Sequence, residues 1–204
     1  MTLNEALALD PGHASAWANK GTVLINLGRY EEAAQALAKA TDLDSHNINV
    51  WINRAACLMN QGKVQDALEA LNNALALDPR HATACRRRGI ALISLGRDQE
   101  ALNALETALA IDQGDAASWA GKGTALANLG RYEEALQMLD RALALDRKDP
   151  MTLINKGTVL INLGRYQEAL PPLDEALSID PGNKLAWRRK SSALVNLGRE
   201  EESH

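Results

Sequence analysis

The sequence predicts an all-α solenoid of stacked helical hairpins, and three observations carry that prediction. The first is a strict period. Gly28, Gly62, Gly96, Gly130, Gly164 and Gly198 stand 34 residues apart, and a fixed spacing of this length marks a repeat architecture. The second is that the residues around these glycines recur. Trp17-Ala18-Asn19-Lys20-Gly21, Leu24 and Leu27-Gly28-Arg29-Tyr30-Glu31-Glu32-Ala33 return around Gly130 from Trp119 to Ala135, and around Gly164 from Asn155 to Ala169. Worn copies surround Gly62, Gly96 and Gly198. The third is physical: a hairpin this short cannot bury its apolar stripe alone, so neighbours must stack.

Taken in order, Met1 to Leu9 places Leu3, Ala6 and Leu7 on one helical face. Asp10-Pro11-Gly12 stops that helix, which is in register with the second half of a unit. The chain therefore reads as a fragment of a longer array or as an array opened by a half repeat over 1–13. Five full units follow at 14–47, 48–81, 82–115, 116–149 and 150–183, and a partial one at 184–204. Each reads as helix, tight turn, helix. His13, Asn47, His81, Asp115, Asp149 and Asn183 precede the first helices, and Asn and Asp are strong N-caps. Pro150 falls at a first helical position, where proline is best tolerated. The repeated glycine suits a left-handed C′ residue. The second helices open with acids such as Glu31, Glu32, Glu133, Glu134, Glu201 and Glu202, which favour the positive end of a helix dipole. Pro171-Pro172, inside the second helix of the fifth unit, removes two backbone donors and predicts a local kink or break.

The bulk composition narrows the function classes. The 204 residues are 46% hydrophobic and 24% charged, with a net charge of -4 and no Phe. The core is therefore built from Leu, Ala and Ile, and the acidic balance gives no reason to expect nucleic acid. No apolar run reaches the ~20 residues of a membrane span, and Met1 to Pro11 lacks the pattern of a secretion signal. Cys57 and Cys85 have neither metal-ligand spacing nor a disulfide framework. A reducing, cytoplasmic setting is the expectation.

The residues resemble the tetratricopeptide repeat (TPR) family. Its pattern has an aromatic at the fourth position, Gly at the eighth and fifteenth, Tyr at the seventeenth, Ala at the twentieth and twenty-seventh, and Pro at the thirty-second. The first unit supplies Trp17, Gly21, Gly28, Tyr30, Ala33 and Ala40, with Ser45 in place of Pro. The resemblance covers essentially the whole chain and implies one array wound as a right-handed superhelix. One departure is systematic: the seventh position, usually Leu, is basic throughout as Lys20, Arg54, Arg88, Lys122, Lys156 and Lys190. Asp10, Asp44, Asp78, Asp112, Asp146 and Asp180 each stand ten residues earlier. Two readings are open, a ladder of ion pairs between units or independent solvated charges.

The resemblance further implies a concave groove lined by the first helices. Its sixth positions include Asn19, Asn53, Arg87, Gly121, Asn155 and Arg189, and its thirteenth include Asn26, Asn60, Asn128, Asn162 and Asn196. Asparagine both donates and accepts, so such a row suits the backbone of an extended peptide. The arrangement is similar to the asparagine ladder in the TPR arm of protein O-GlcNAc transferase. The other reading of the thirteenth-position residues is that they finish the helix. Arg86-Arg87-Arg88 and Arg188-Arg189-Lys190 lie 102 residues apart, each one unit after an Asn (Asn53 or Asn155), which suggests a duplicated triplet. Guanidinium groups bind carboxylates through paired charge-assisted bonds. The family's chaperone adaptors clamp a C-terminal carboxylate with five positions. Asn53 and Arg87 match two of them and Ala18, Thr22 and Thr83 do not. Asn155 and Arg189 match two, and Ala120, Thr124 and Leu185 do not. A full clamp is therefore not expected.

No phosphate loop, His-Glu-x-x-His helix or nucleophile elbow is present. The expected function is a non-catalytic scaffold that holds a partner peptide, with an acidic or C-terminal carboxylate segment, and needs no cofactor or metal. Asn19, Asn53 and Asn155 would grip backbone, Arg86, Arg87, Arg188 and Arg189 would attract acidic groups, and Ile52, Met59, Ile93, Ile154 and Ile161 would add apolar contact. Two alternatives are end-to-end self-association through the end helices, Leu3 and Leu7 included, and service as the recognition arm of a larger enzyme.

Overall fold

The computed structural model describes residues 7–199. Residues 7–9 are helical, and eleven further helices follow among the described residues. They are α1 (Ala14–Asn26), α2 (Tyr30–Leu43), α3 (Ile48–Asn60), α4 (Val64–Leu77), α5 (Ala82–Ser94), α6 (Asp98–Ile111), α7 (Ala116–Asn128), α8 (Tyr132–Leu145), α9 (Pro150–Asn162), α10 (Tyr166–Ile179) and α11 (Lys184–Asn196). The described residues contain no strand. The fold is an all-α TPR-type solenoid of helical hairpins. Leu3, Ala6, Glu201, Glu202 and His204 lie outside the described residues.

Local chemistry sets both ends of the odd-numbered helices. His13 and His81 accept the Ala16 and Ala84 amides on Nδ1 at 3.3 and 3.4 Å. Asp149 accepts the Thr152 amide at 2.9 Å, and Asn183 the Ala186 amide at 3.1 Å. Asp115 instead accepts the Ser118 hydroxyl at 2.6 Å. At the other end Gly28 has φ +71° and Gly164 +72°. This conformation lets the Gly28 and Arg29 amides donate back to Ile25 and Leu24 carbonyls at 2.9 Å, satisfying groups the helix leaves open.

The chain divides into two compact units, Met1–Arg97 and Asp98–His204. In the first, α1 packs on α2, α2 on α3, α3 on α4 and α4 on α5. Its core joins Leu24, Ala33, Leu37, Val50 and Cys57, then Ile52, Ala55, Leu58, Leu71 and Ala91. In the second, α6 packs on α7 and the series continues to α10 on α11, burying Leu153, Ile154, Ala176 and Leu177 beside Leu160, Leu173 and Leu194. Hairpin helices approach closely at the eighth position. A Cβ on Gly157 would lie 2.6 Å from the Leu173 Cγ. Ala55 takes that place in the second repeat and is fully buried.

The break expected at Pro171-Pro172 is corrected, and one of the two readings of the aspartates is set aside. The α10 helix runs without interruption through Pro171 and Pro172. Its buried stripe of Leu170, Pro172, Leu173, Ala176 and Leu177 anchors it on its neighbours, and packing of that stripe outweighs the two lost donors. The aspartates ten residues before the seventh-position bases do not form a ladder with them. They accept the backbone N–H two residues on, as Asp10 does from Gly12 at 3.0 Å and Asp112 from Gly114 at 2.9 Å, and so hold the turn. The bases find acids sixteen residues earlier, on the preceding helix: Lys122 with Glu106 at 2.9 Å, Lys156 with Asp140 at 2.7 Å and Lys190 with Asp174 at 2.7 Å. In the first unit Ala38 and Asn72 occupy those places. There Arg54 donates to Thr41 at 3.0 Å and stacks over Trp51 at 5.4 Å.

Candidate functional site

The first unit gathers one group of the expected site residues. Ala56, Met59 and Asn60 from α3 face Arg86, Arg87 and Ile90 from α5 across an open cleft of about 330 Å³. Because α3 and α5 are both first helices of their hairpins, equivalent faces turn the same way. Position twelve supplies Met59, position thirteen Asn60, and positions five and six the two arginines. The floor is apolar and the wall cationic.

Arg87, like Arg88 beside it, holds a buried atom without a partner. Its guanidinium is half-buried, and its Nε is shielded from solvent without a hydrogen-bond partner. Burial, and then the neighbouring Arg86 charge, push its pKa below the usual arginine value. Arginine stays protonated regardless, so a cation is held where its charge is disfavoured. An anion placed in the cleft would relieve that charge cost.

The remaining expected residues have other surroundings. Asn19, Asn26 and Asn162 are exposed on α1 and α9, and Asn53 is half-buried on α3. Asn60 donates to the Ala56 carbonyl at 2.9 Å, and Asn196 to the Ser192 carbonyl at 2.8 Å, so both side chains also finish their own helices. Asn128 donates to Asp98 at 2.8 Å. Asn155 donates to the Thr124 hydroxyl at 3.1 Å and ties α9 to α7. Arg188 is exposed, and Arg189 is half-buried with a partnerless Nε. Met59, Ile93 and Ile161 are half-buried. Ile52 and Ile154, expected to offer apolar contact, are core residues with 5% and 0% exposure. Each is absorbed by the hairpin beneath it.

Sequence reasoning missed why the seventh position is basic. Trp17, Trp51, Trp119 and Trp187 donate their indole N–H to the carbonyl six residues back at 2.8–2.9 Å, pinning the preceding turn. Lys20, Arg54 and Lys190 then lie over the Trp17, Trp51 and Trp187 rings at 5.2, 5.4 and 5.3 Å. The three-residue spacing of aromatic and base on one helix was the available signal.

Cys57 and Cys85 are buried thiols whose pKa values burial raises, which makes them poor nucleophiles. No three His, Cys, Asp or Glu side chains gather as a metal site among the described residues. No described helix is long and apolar enough to cross a membrane.

The repeat geometry has a counterpart among known families. Profiles described as tetratricopeptide repeat match residues 2–57, 54–120, 120–184 and 154–203. The chain belongs to the tetratricopeptide repeat family. TPR folds are scaffolds for protein or peptide partners and are typically non-catalytic. Similar solved structures include YrrB, described as a TPR protein with an unusual peptide-binding site. It is 22% identical over 94% of this chain and 98% of its own, with a TM-score of 0.70. A TPR protein from Parabacteroides merdae is 18% identical over 98% of this chain and 80% of its own, with a TM-score of 0.82. A thermophilic TPR protein from Thermus thermophilus is 25% identical over 89% and 99%, with a TM-score of 0.73. No match is found among curated proteins.

Proposed function

We propose that this TPR protein is a non-catalytic scaffold whose first unit binds an acidic peptide segment of a partner, with Arg87 as the main contact. The observation that carries the reading is the half-buried Arg87 guanidinium, with its partnerless Nε, on the wall of an apolar cleft. Arg86 adds charge, and Met59 and Ile90 receive an apolar side chain next to the acidic group. Asn19, Asn26 and Asn53 extend the polar surface along α1 and α3 for backbone contact. The two buried thiols suit a reducing, cytoplasmic setting.

The test is fluorescence anisotropy with a labelled peptide carrying two glutamates and a C-terminal leucine, set against its all-glutamine counterpart. The reading expects the acidic peptide to bind and the neutral one to bind far more weakly. Loss of a charge-assisted pair costs about 1.5–3 kcal/mol, so Arg87→Ala should weaken binding by roughly 10- to 100-fold. Equal affinity for both peptides, or an unchanged Arg87→Ala variant, would sink the reading.

A further inference from the structure

We infer that the first hairpin carries a docking site on its outer side, away from the groove residues. Its occupant is a partner helix that presents an apolar side chain and a carboxylate one turn apart. A cleft of about 270 Å³ opens there between α1 and α2. Its α1 wall is the stripe Trp17, Lys20 and Leu24, at three- and four-residue steps on one helical face. Asn19 and Asn26 each stand two residues past a member of that stripe and so belong to another side of α1. The α2 wall includes Glu32, Ala36 and Lys39. Leu24 and Ala36 are buried and make an apolar base. The Trp17 indole N–H donates to the Pro11 carbonyl at 2.9 Å, which fixes the ring at the edge of that base.

The charges around the base are unbalanced. Lys20 lies over the Trp17 ring at 5.2 Å and Lys39 is exposed, and among the described residues neither forms an ion pair. Glu32 feels the Lys20 charge, but both of its oxygens are taken by Arg29 at 2.6 Å. The second unit shows what such a base accepts. Lys122, Lys156 and Lys190 each receive a carboxylate from a neighbouring helix, Glu106 at 2.9 Å and Asp140 and Asp174 at 2.7 Å. There Arg141, the counterpart of Lys39, is spent on the Trp119 ring at 4.9 Å. Sixteen residues before Lys20 the sequence has Asn4, which carries no charge. A helix from a partner supplies the missing carboxylate to Lys20 and Lys39, and its apolar side chain covers Leu24 and Ala36. The helix is favoured over an extended strand because the chain's own acids reach their bases from helices.

The test is fluorescence anisotropy of the full chain with a labelled, lactam-stapled helical peptide carrying leucine and, four residues on, glutamate. The expected result is saturable binding, roughly fivefold weaker when glutamine replaces the glutamate. Lys20→Glu combined with Lys39→Glu should lose the glutamate helix and take up a lysine-bearing one instead, a gain that unfolding cannot produce. Arg87→Ala should bind the glutamate helix as the unmodified chain does. No binding, equal affinity for the glutamine helix, or a charge-reversed variant that keeps the glutamate helix would overturn the outer site. Loss in Arg87→Ala with the charge-reversed variant unaffected would put the peptide in the groove, overturning the outer site while leaving the Arg87 cleft in place.

Discussion

Two glycines from the same repeat separate two kinds of constraint. Gly164 is fixed by its backbone, with φ +72° and nothing within 4 Å of where a Cβ would stand. Gly164→Ala is expected to cost about 1–2 kcal/mol from left-handed strain alone, read as a lower urea midpoint with an unchanged slope. Gly157 is fixed by a neighbour, the Leu173 side chain. Gly157→Val should cost about 1–3 kcal/mol by overpacking, and shortening Leu173 to Ala in the same chain should recover part of it. Ala55 at the equivalent place marks a single methyl as tolerable. Both glycines were legible in the sequence because their period was. The partners of the seventh-position bases were not, because an acid sixteen residues back becomes a neighbour only once one hairpin stacks on the next.

At the level of the helix, caps and termini followed the local sequence closely, while Pro171-Pro172 did not. Local propensity called for a kink or a break, and burial of one apolar stripe kept the helix unbroken. Pro171 is exposed, so Pro171→Ala restores a donor without removing core. It should stabilise the chain by about 1–3 kcal/mol, measured by thermal or urea unfolding. The second helices of three hairpins begin with a bidentate pair: Arg29 with Glu32, Arg131 with Glu134 and Arg165 with Glu168. The arginine hydrogen bond holds each of these carboxyls below the usual carboxylate range. A depressed folded-state value contributes stability above the unfolded pKa, and that contribution is lost as pH falls through the folded one. Replacing the three glutamates with Gln should therefore flatten the loss of stability between neutral and acidic pH. The effect is small because all three pairs are exposed and screened. Urea midpoints across the acid range check it.

For the molecule as a whole, the repeat period made the fold readable, because the glycine turns recur every 34 residues with the apolar stripe between them. The binding surface was only partly readable. Arg86, Arg87 and Asn60 do meet in one cleft, yet the same helical face also sends Ile52 and Ile154 into the core. Which side of a half-buried helix meets solvent depends on how adjacent hairpins tilt, and a one-dimensional pattern does not encode that angle. A net charge of -4 with local arginine pairs also sets a whole-molecule expectation. Affinity for an acidic peptide should fall only modestly as salt rises, because screening at 0.1 M acts beyond about 10 Å and so weakens the long-range repulsion from the net negative charge as well as the attraction of the exposed arginines.

The most direct measurement is the arginine Nε–H resonance of Arg87 in a proton–nitrogen correlation spectrum, assigned by its absence in Arg87→Lys and followed as the acidic leucine-ended peptide is added. A cation waiting for an acceptor predicts a large, saturable shift of that resonance at the same midpoint as binding. A peptide that binds while the Arg87 Nε–H stays in place would contradict the account.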